Sequence, residues 1–290
     1  MTKPPLVVGV DGSPCSRRAV LWAADEAALR GDELLLVHAQ GDADVDLVRR
    51  FGDPGLRALE QVGEQVLADA SAAVTARQPG VTHRELRSWG TPARALLDLG
   101  PDASVIVIGA GSVRDGTRAP AGSVSGSLAE QAPCPVVVVP EGQSGVPRGR
   151  IVLGVSEAEP ARYALELALY EAQLHGAALV CVRAWQGTAR ALTTARPTAI
   201  ERETRAALDL LDRRLAEARA LHPRVAVLPC LVCGSPAQVW LLAARDADLM
   251  VLGGPPATGQ GSHPGPEPAA VVGHSSCPVM VVGGGRRSGD

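Results

Sequence analysis

The sequence predicts an α/β fold of two tandem Rossmann-like domains, each a doubly wound, five-stranded parallel sheet covered by helices. Three observations carry this expectation. Short continuous apolar runs alternate with Ala-rich segments of helical period, the pattern of a parallel sheet buried on both faces. The 290-residue chain matches itself at an offset of about 145 residues. Its composition is globular, 46 % hydrophobic and 20 % charged, and with only 2 % aromatic residues any core must be aliphatic.

In the first copy, strands are expected at Leu6 to Val10, Glu33 to Ala39, His83 to Trp89, Ser104 to Ile108 and Val136 to Val139, and each of the first four feeds a helix. The first helix starts where Ser13 can cap and Pro14 can take the first helical position, whose missing N–H is harmless there, and it ends at Gly31. The second spans about Pro54 to Arg77. The third begins with another cap-then-proline pair, Thr91-Pro92, and the fourth covers Ser123 to Ala132.

The second copy repeats this order. Leu6-Val7-Val8-Gly9-Val10 lies over Ile151-Val152-Leu153-Gly154-Val155, Gly90-Thr91-Pro92-Ala93 over Gly234-Ser235-Pro236-Ala237, Asp102 to Gly109 over Asp246 to Gly253, and Cys134-Pro135-Val136 over Cys277-Pro278-Val279. The seam is Glu141 to Arg150, rich in Gly, Pro, Ser and Gln and without apolar period, so the domains are placed at 1–145 and 146–290.

Several function classes fall away on composition. With 28 Lys+Arg against 31 Asp+Glu, neither half has the charge of a nucleic-acid surface, and the scarcity of aromatics argues against stacking platforms for single strands. No apolar run approaches the roughly 20 residues that span a bilayer, and the amino terminus lacks a signal-peptide core. Six cysteines (Cys15, Cys134, Cys181, Cys230, Cys233 and Cys277) are too sparse for a disulfide scaffold. A cytoplasmic protein that binds neither membrane nor nucleic acid is expected.

Two segments fall at the carboxyl edge of the first sheet, where a doubly wound fold places its ligand. One is Val10-Asp11-Gly12-Ser13. The other runs Gly109-Ala110-Gly111-Ser112, then nine residues, then Gly122-Ser123-Val124-Ser125. Glycines allow close backbone approach, and the free N–H groups of a helix start favour an anion such as a triphosphate. Ser123 and Ser125 add hydroxyl donors, and Asp11 can accept hydrogen bonds from a ribose. The same residues also read as an ordinary loop with a capping serine and a turn aspartate, since neither GxxxxGK[ST] nor GxGxxG is present.

On these residues both copies resemble universal stress protein domains, and the chain resembles the tandem form of that family. The likeness rests on Val8-Gly9-Val10-Asp11-Gly12-Ser13, Gly90-Thr91-Pro92-Ala93 and Gly109 through Pro140, and it covers nearly the whole chain. Family members that bind ATP carry Gly-x-x-Gly, nine residues, then Gly-[Ser/Thr]. The resemblance implies ATP, with or without Mg²⁺, in the first domain. Asp11 would contact the nucleoside and the Ala39 backbone the adenine, with Gly109, Ser112, Gly122, Ser123, Val124 and Ser125 on the ribose and phosphates; Gly9, Ile108 and Gly111 complete the expected set. It also implies a stress-response binding module rather than an enzyme, with domains paired through their last strands, Val136 to Val139 and Val279 to Val282, and room for a homodimer.

Two departures matter. In the first copy the second motif glycine is Ser112, whose Cβ costs about 1 kcal/mol if positive φ is needed there. In the second copy Ser156 replaces Asp11, Gly265-Pro266 replaces Gly122-Ser123, and Glu267-Pro268 stand for Val124-Ser125. Prolines remove N–H donors and Glu267 repels phosphate, so a nucleotide is expected in the first domain only. Catalysis is not indicated, for there is no Walker lysine and no evident Mg²⁺ carboxylate pair. Two other readings stay open: a nucleotide-free interaction scaffold, and a slow ATPase in which Asp11 holds a metal. Gly41 to Asp53 and Gly187 to Pro197 are candidate partner surfaces. Cys230 and Cys233, His38, and the pair His263 and His274 read respectively as core thiols, a partly buried core histidine and surface histidines.

Overall fold

The computed structural model describes residues 3–40, 53–111, 124–142, 147–155, 162–185, 197–256 and 266–284. They divide into two compact units, the first built on Met1–Glu141 and the second on Gly142–Pro256 and Pro264–Val282.

The first unit runs β1 (Leu6–Gly9), α1 (Pro14–Arg30), β2 (Leu34–Gln40), α2 (Asp53–Arg77), β3 (His83–Trp89), α3 (Pro92–Leu99), a 3₁₀ turn (Gly100–Asp102), β4 (Val105–Gly109), α4 (Val124–Gln131) and β5 (Val136–Val139). The strand order is β3-β2-β1-β4-β5, all parallel, with Val8 in register with Leu36 on one side and Val107 on the other. The expected α/β doubly wound sheet is therefore present. Two strands, β3 and β5, keep the expected bounds, the ends of β1, β2 and β4 shift by one residue, and the 3₁₀ turn was not expected. At the end of β1 the ladder outlasts the strand, since the Val10 N–H still donates to the Val37 carbonyl at 2.8 Å.

Local chemistry sets the helix ends. Ser13 caps α1, its hydroxyl accepting from the Ser16 N–H at 3.1 Å, and Gly31 closes the helix in the left-handed region. Thr91 caps α3 in the same way through the Arg94 N–H at 3.4 Å. The strand β3, outermost among the described residues, carries Arg84, Glu85 and Arg87, charges that suit a sheet edge.

The second unit runs β6 (Arg150–Val155), α5 (Arg162–Leu174), β7 (Ala178–Trp185), α6 (Pro197–Leu221), β8 (Val227–Cys233), α7 (Pro236–Ala244), β9 (Leu249–Pro256), α8 (Pro266–Val272) and β10 (Val279–Gly284). Its order, β10-β9-β6-β7-β8, is that of the first unit strand for strand, and Gly154 stands in register with Leu252. The sequence repeat is a repeat of fold.

Both cores are aliphatic. Leu6, Leu34, Leu36, Ile106 and Leu128 are fully buried in the first unit, and Ile151, Leu153, Leu179, Leu215, Leu249, Met250 and Leu252 in the second. Each such side chain contributes about 2 kcal/mol of transfer free energy. Among the described residues no helix is long and apolar enough to cross a membrane. Most of the two segments read as partner surfaces, and residues 143–146 of the seam, lie outside the described residues.

Candidate functional site

In the strand order β3-β2-β1-β4-β5 the chain winds outward from β1 to β3, then returns to start β4 on the other side of β1. The two crossovers leave in opposite directions and open a crevice at the carboxyl ends of β1 and β4. A cavity of about 220 Å³ lies there.

The turn after β1 forms one wall. Gly12 sits at φ +79°, where a side chain is strained, and it lets the chain reverse between Asp11 and the Ser13 cap. The Ser13 N–H donates to Asp11 Oδ1 at 2.9 Å, the Ser16 hydroxyl donates to the Ser13 carbonyl at 3.1 Å, and the Asp11 N–H reaches Ser16 Oγ at 3.4 Å. Partial burial opposes ionisation of Asp11, but the hydrogen bonds from Ser13 and Ser16 outweigh it and hold the carboxyl below its ordinary value. The result is an ionised, oriented acceptor on the cavity wall.

The end of β4 forms the opposite wall, and it passes very near the start of α1. A Cβ built on Gly109 would lie 2.5 Å from the Cys15 carbonyl carbon and oxygen and 2.8 Å from the Ser16 nitrogen, so only glycine fits. This contact brings β4 against the first turn of α1 and narrows the base of the cavity. Val10, Val37, Pro92, Leu96 and Ile108 make an apolar slot, and Val124 and Ser125, the first residues of α4, stand at its rim, at the positive end of the helix dipole.

Of the residues expected at the site, Gly9, Asp11, Ala39, Ile108, Gly109, Gly111, Val124 and Ser125 all line this one cavity. Ser112, Gly122 and Ser123 lie outside the described residues. Sequence reasoning missed Val37, Pro92, Leu96, Cys15 and Ser16 as lining residues. Ser16 and Cys15 follow directly on the recognised cap, which was a usable signal. Val37 and Leu96 look in sequence like any other core aliphatic. Cys15 is buried, and its sulfur accepts from Arg18 Nη2 at 3.5 Å.

The remaining candidates fall elsewhere. His38 is half-buried and donates from Nδ1 to the Val10 carbonyl at 2.8 Å, the partly buried histidine expected. Cys230 and Cys233 are a correction: on the outer strand β8 Cys230 is half-buried and Cys233 exposed, so neither is a core thiol. Among the described residues β8 has a neighbouring strand on one side only, which leaves them less covered. His274 is exposed, as a surface histidine should be; His263 lies outside the described residues.

In the second unit the crevice differs. Ser156 and Gly265 lie outside the described residues, and Pro266 and Pro268 fall within the seven-residue α8. The position equivalent to Leu96 is Trp240, 4 % exposed, on α7.

Comparison with known proteins matches the Universal stress protein family to residues 4–140 and again to residues 147–283. Universal stress protein Rv2005c of Mycobacterium tuberculosis is 31 % identical over 258 residues, 86 % of this chain and 86 % of that protein. Universal stress protein Rv1996 of the same organism is 31 % identical over 302 residues, covering 95 % and 94 %. Among solved structures, a universal stress protein from Archaeoglobus fulgidus DSM 4304 superposes with a TM-score of 0.73 at 16 % identity, over 98 % of this chain and 100 % of that one, which shows a shared fold.

Proposed function

The chain belongs to the universal stress protein family, in its tandem form, and from that premise we propose that its first domain is a stress-response module binding an adenine nucleotide, ATP with or without Mg²⁺. One observation carries this reading: a single crevice joins an apolar slot, an oriented carboxylate and a helix start. The slot bounded by Val37, Leu96 and Ile108 suits a flat base, with Ala39 offering backbone groups to its edge. Asp11 accepts from the ribose hydroxyls, and the phosphates reach the N–H groups at Val124 and Ser125 together with the motif residues Gly109, Gly111, Ser112, Gly122 and Ser123. Gly9, without a Cβ, lets Leu96 and Ile108 pack closely over the floor of the slot. A cavity of about 220 Å³ suits base and ribose, with the phosphates at its mouth.

Binding rather than turnover fits a family of stress proteins. The seam near residue 145, a single nucleotide per chain, a cytoplasmic setting, and domain pairing or homodimerisation through the Val-rich last strands belong to the same proposal on the sequence alone. Thermal melting tests its centre. ATP at about 100 times its dissociation constant stabilises the domain by roughly 2.7 kcal/mol, and Asp11→Ala reduces that shift. No shift at millimolar ATP favours the nucleotide-free scaffold. Phosphate release that disappears in Asp11→Ala would make the protein a slow ATPase.

A further inference from the structure

The two crevices share a floor. In the first unit, a Cβ on Gly9 would meet Leu96 Cδ1 at 3.0 Å and Ile108 Cγ2 at 3.1 Å. In the second, a Cβ on the equivalent Gly154 would meet Leu252 Cδ2 at 2.4 Å and the Trp240 ring at 2.9 Å (Cε2) and 3.1 Å (Cδ2). Leu252 is the counterpart of Ile108 and Trp240 that of Leu96, and α7 packs on β6 and β7 as α3 packs on β1 and β2. The same three positions therefore meet in both units. In the first they bound a cavity, and in the second the branched side chain of Leu96 is replaced by an indole lying on the glycine.

The indole is buried. Trp240 is 4 % exposed, and its Nε1–H is buried without a hydrogen-bond partner among the described residues. A buried tryptophan usually secures a partner for that donor. One that forgoes it is left with packing contacts alone, here against Gly154.

We infer that Trp240 fills, in the second domain, the space that the first domain keeps open, so that a flat bicyclic ring belonging to the chain itself takes the place of a ligand. This gives the loss of the second site a cause inside the slot, separate from Pro266, Glu267 and Pro268, which the sequence alone singles out. It deepens the nucleotide reading of the first cavity, but its test uses no nucleotide, so the two can fail separately.

The test is to empty the slot and offer it free indole. In Trp240→Ala and Trp240→Leu the transition of the second domain moves to lower temperature. Indole at about ten times its dissociation constant raises it again by about 3 °C in the variant and leaves the wild type unmoved, as an engineered apolar cavity takes up a small aromatic molecule. A folded variant that indole does not stabilise overturns the inference. A second measurement keeps the native residue. With Trp22, Trp89 and Trp185 replaced by Phe, the emission of Trp240 is expected at the blue end of the tryptophan range and shielded from iodide. Red, readily quenched emission would overturn the inference even if both truncations failed to fold.

Discussion

The crevice of the first domain and its counterpart in the second start from the same glycine near the end of the first strand, met by side chains from the same two positions, and they end differently. Leu96 leaves about 220 Å³ open between β1 and β4, whereas Trp240 covers Gly154 with a ring. A duplicated fold can thus keep its strand order and register while one side chain on the third helix changes what its crevice can accept. The backbone scaffold and the ligand space are specified by different residues, and so they can diverge separately.

The largest expected effect falls on the scaffold of the open crevice. Gly109→Ala sets a methyl 2.5 Å from the Cys15 backbone, which cannot move aside as a side-chain end can. The expected loss is about 3 kcal/mol in urea unfolding. A loss under about 1 kcal/mol would mean that the approach of β4 to α1 is looser than described. Next comes the swap that carries the second domain's residue into the first. Leu96→Trp is expected to weaken ATP binding by about 100-fold, read by calorimetric titration, while the chain stays folded. Unchanged affinity would separate the slot from the nucleotide.

Smaller effects separate the two floors. Gly154→Ala meets Leu252 and the Trp240 ring more closely than Gly9→Ala meets Leu96 and Ile108, so we expect a loss of about 2 kcal/mol against about 1 kcal/mol. Equal losses would show that the second slot has room to spare. The smallest contrast lies in the caps. Ser13→Ala removes a cap and costs about 1 kcal/mol, whereas the Ser235 hydroxyl donates to Gln238 Oε1 at 2.9 Å and makes no capping bond, so Ser235→Ala costs a few tenths, about 0.3 kcal/mol.

Ser13→Ala also acts on Asp11. The carboxyl of Asp11 is held below its ordinary value, so its contribution to stability is complete above about pH 4 and is lost as the pH falls through the depressed value. Without the Ser13 hydroxyl, partial burial counts for more and the titration moves upward, visible in the carboxyl resonance of Asp11. An unmoved titration would remove Ser13 from the set of groups that hold it.

Most of the fold was legible in the sequence because its signals are local. Apolar runs of strand length, Thr91-Pro92 and Ser13-Pro14 at helix starts, and Gly31 at a helix end each act through a few neighbouring residues. The motif half of the site was legible for the same reason: Asp11 stands just past β1 and Gly109 ends β4. The slot half was not. Val37 and Leu96 have the chemistry of core residues, and only their meeting at the β1/β4 crevice makes them a wall. The same holds for the closed crevice, where the sequence pointed to Pro266, Glu267 and Pro268 while the ring that fills the space stands on α7.

By itself the sequence determined the duplication, the parallel doubly wound sheets and the turn that presents Asp11, since periodicity, capping and glycine placement depend on near neighbours along the chain. Only the tertiary structure decided which aliphatic side chains face the crevice and that Trp240 lies across Gly154. Those outcomes depend on volume shared by residues far apart in the chain, and packed volume has no signature until the strands are side by side.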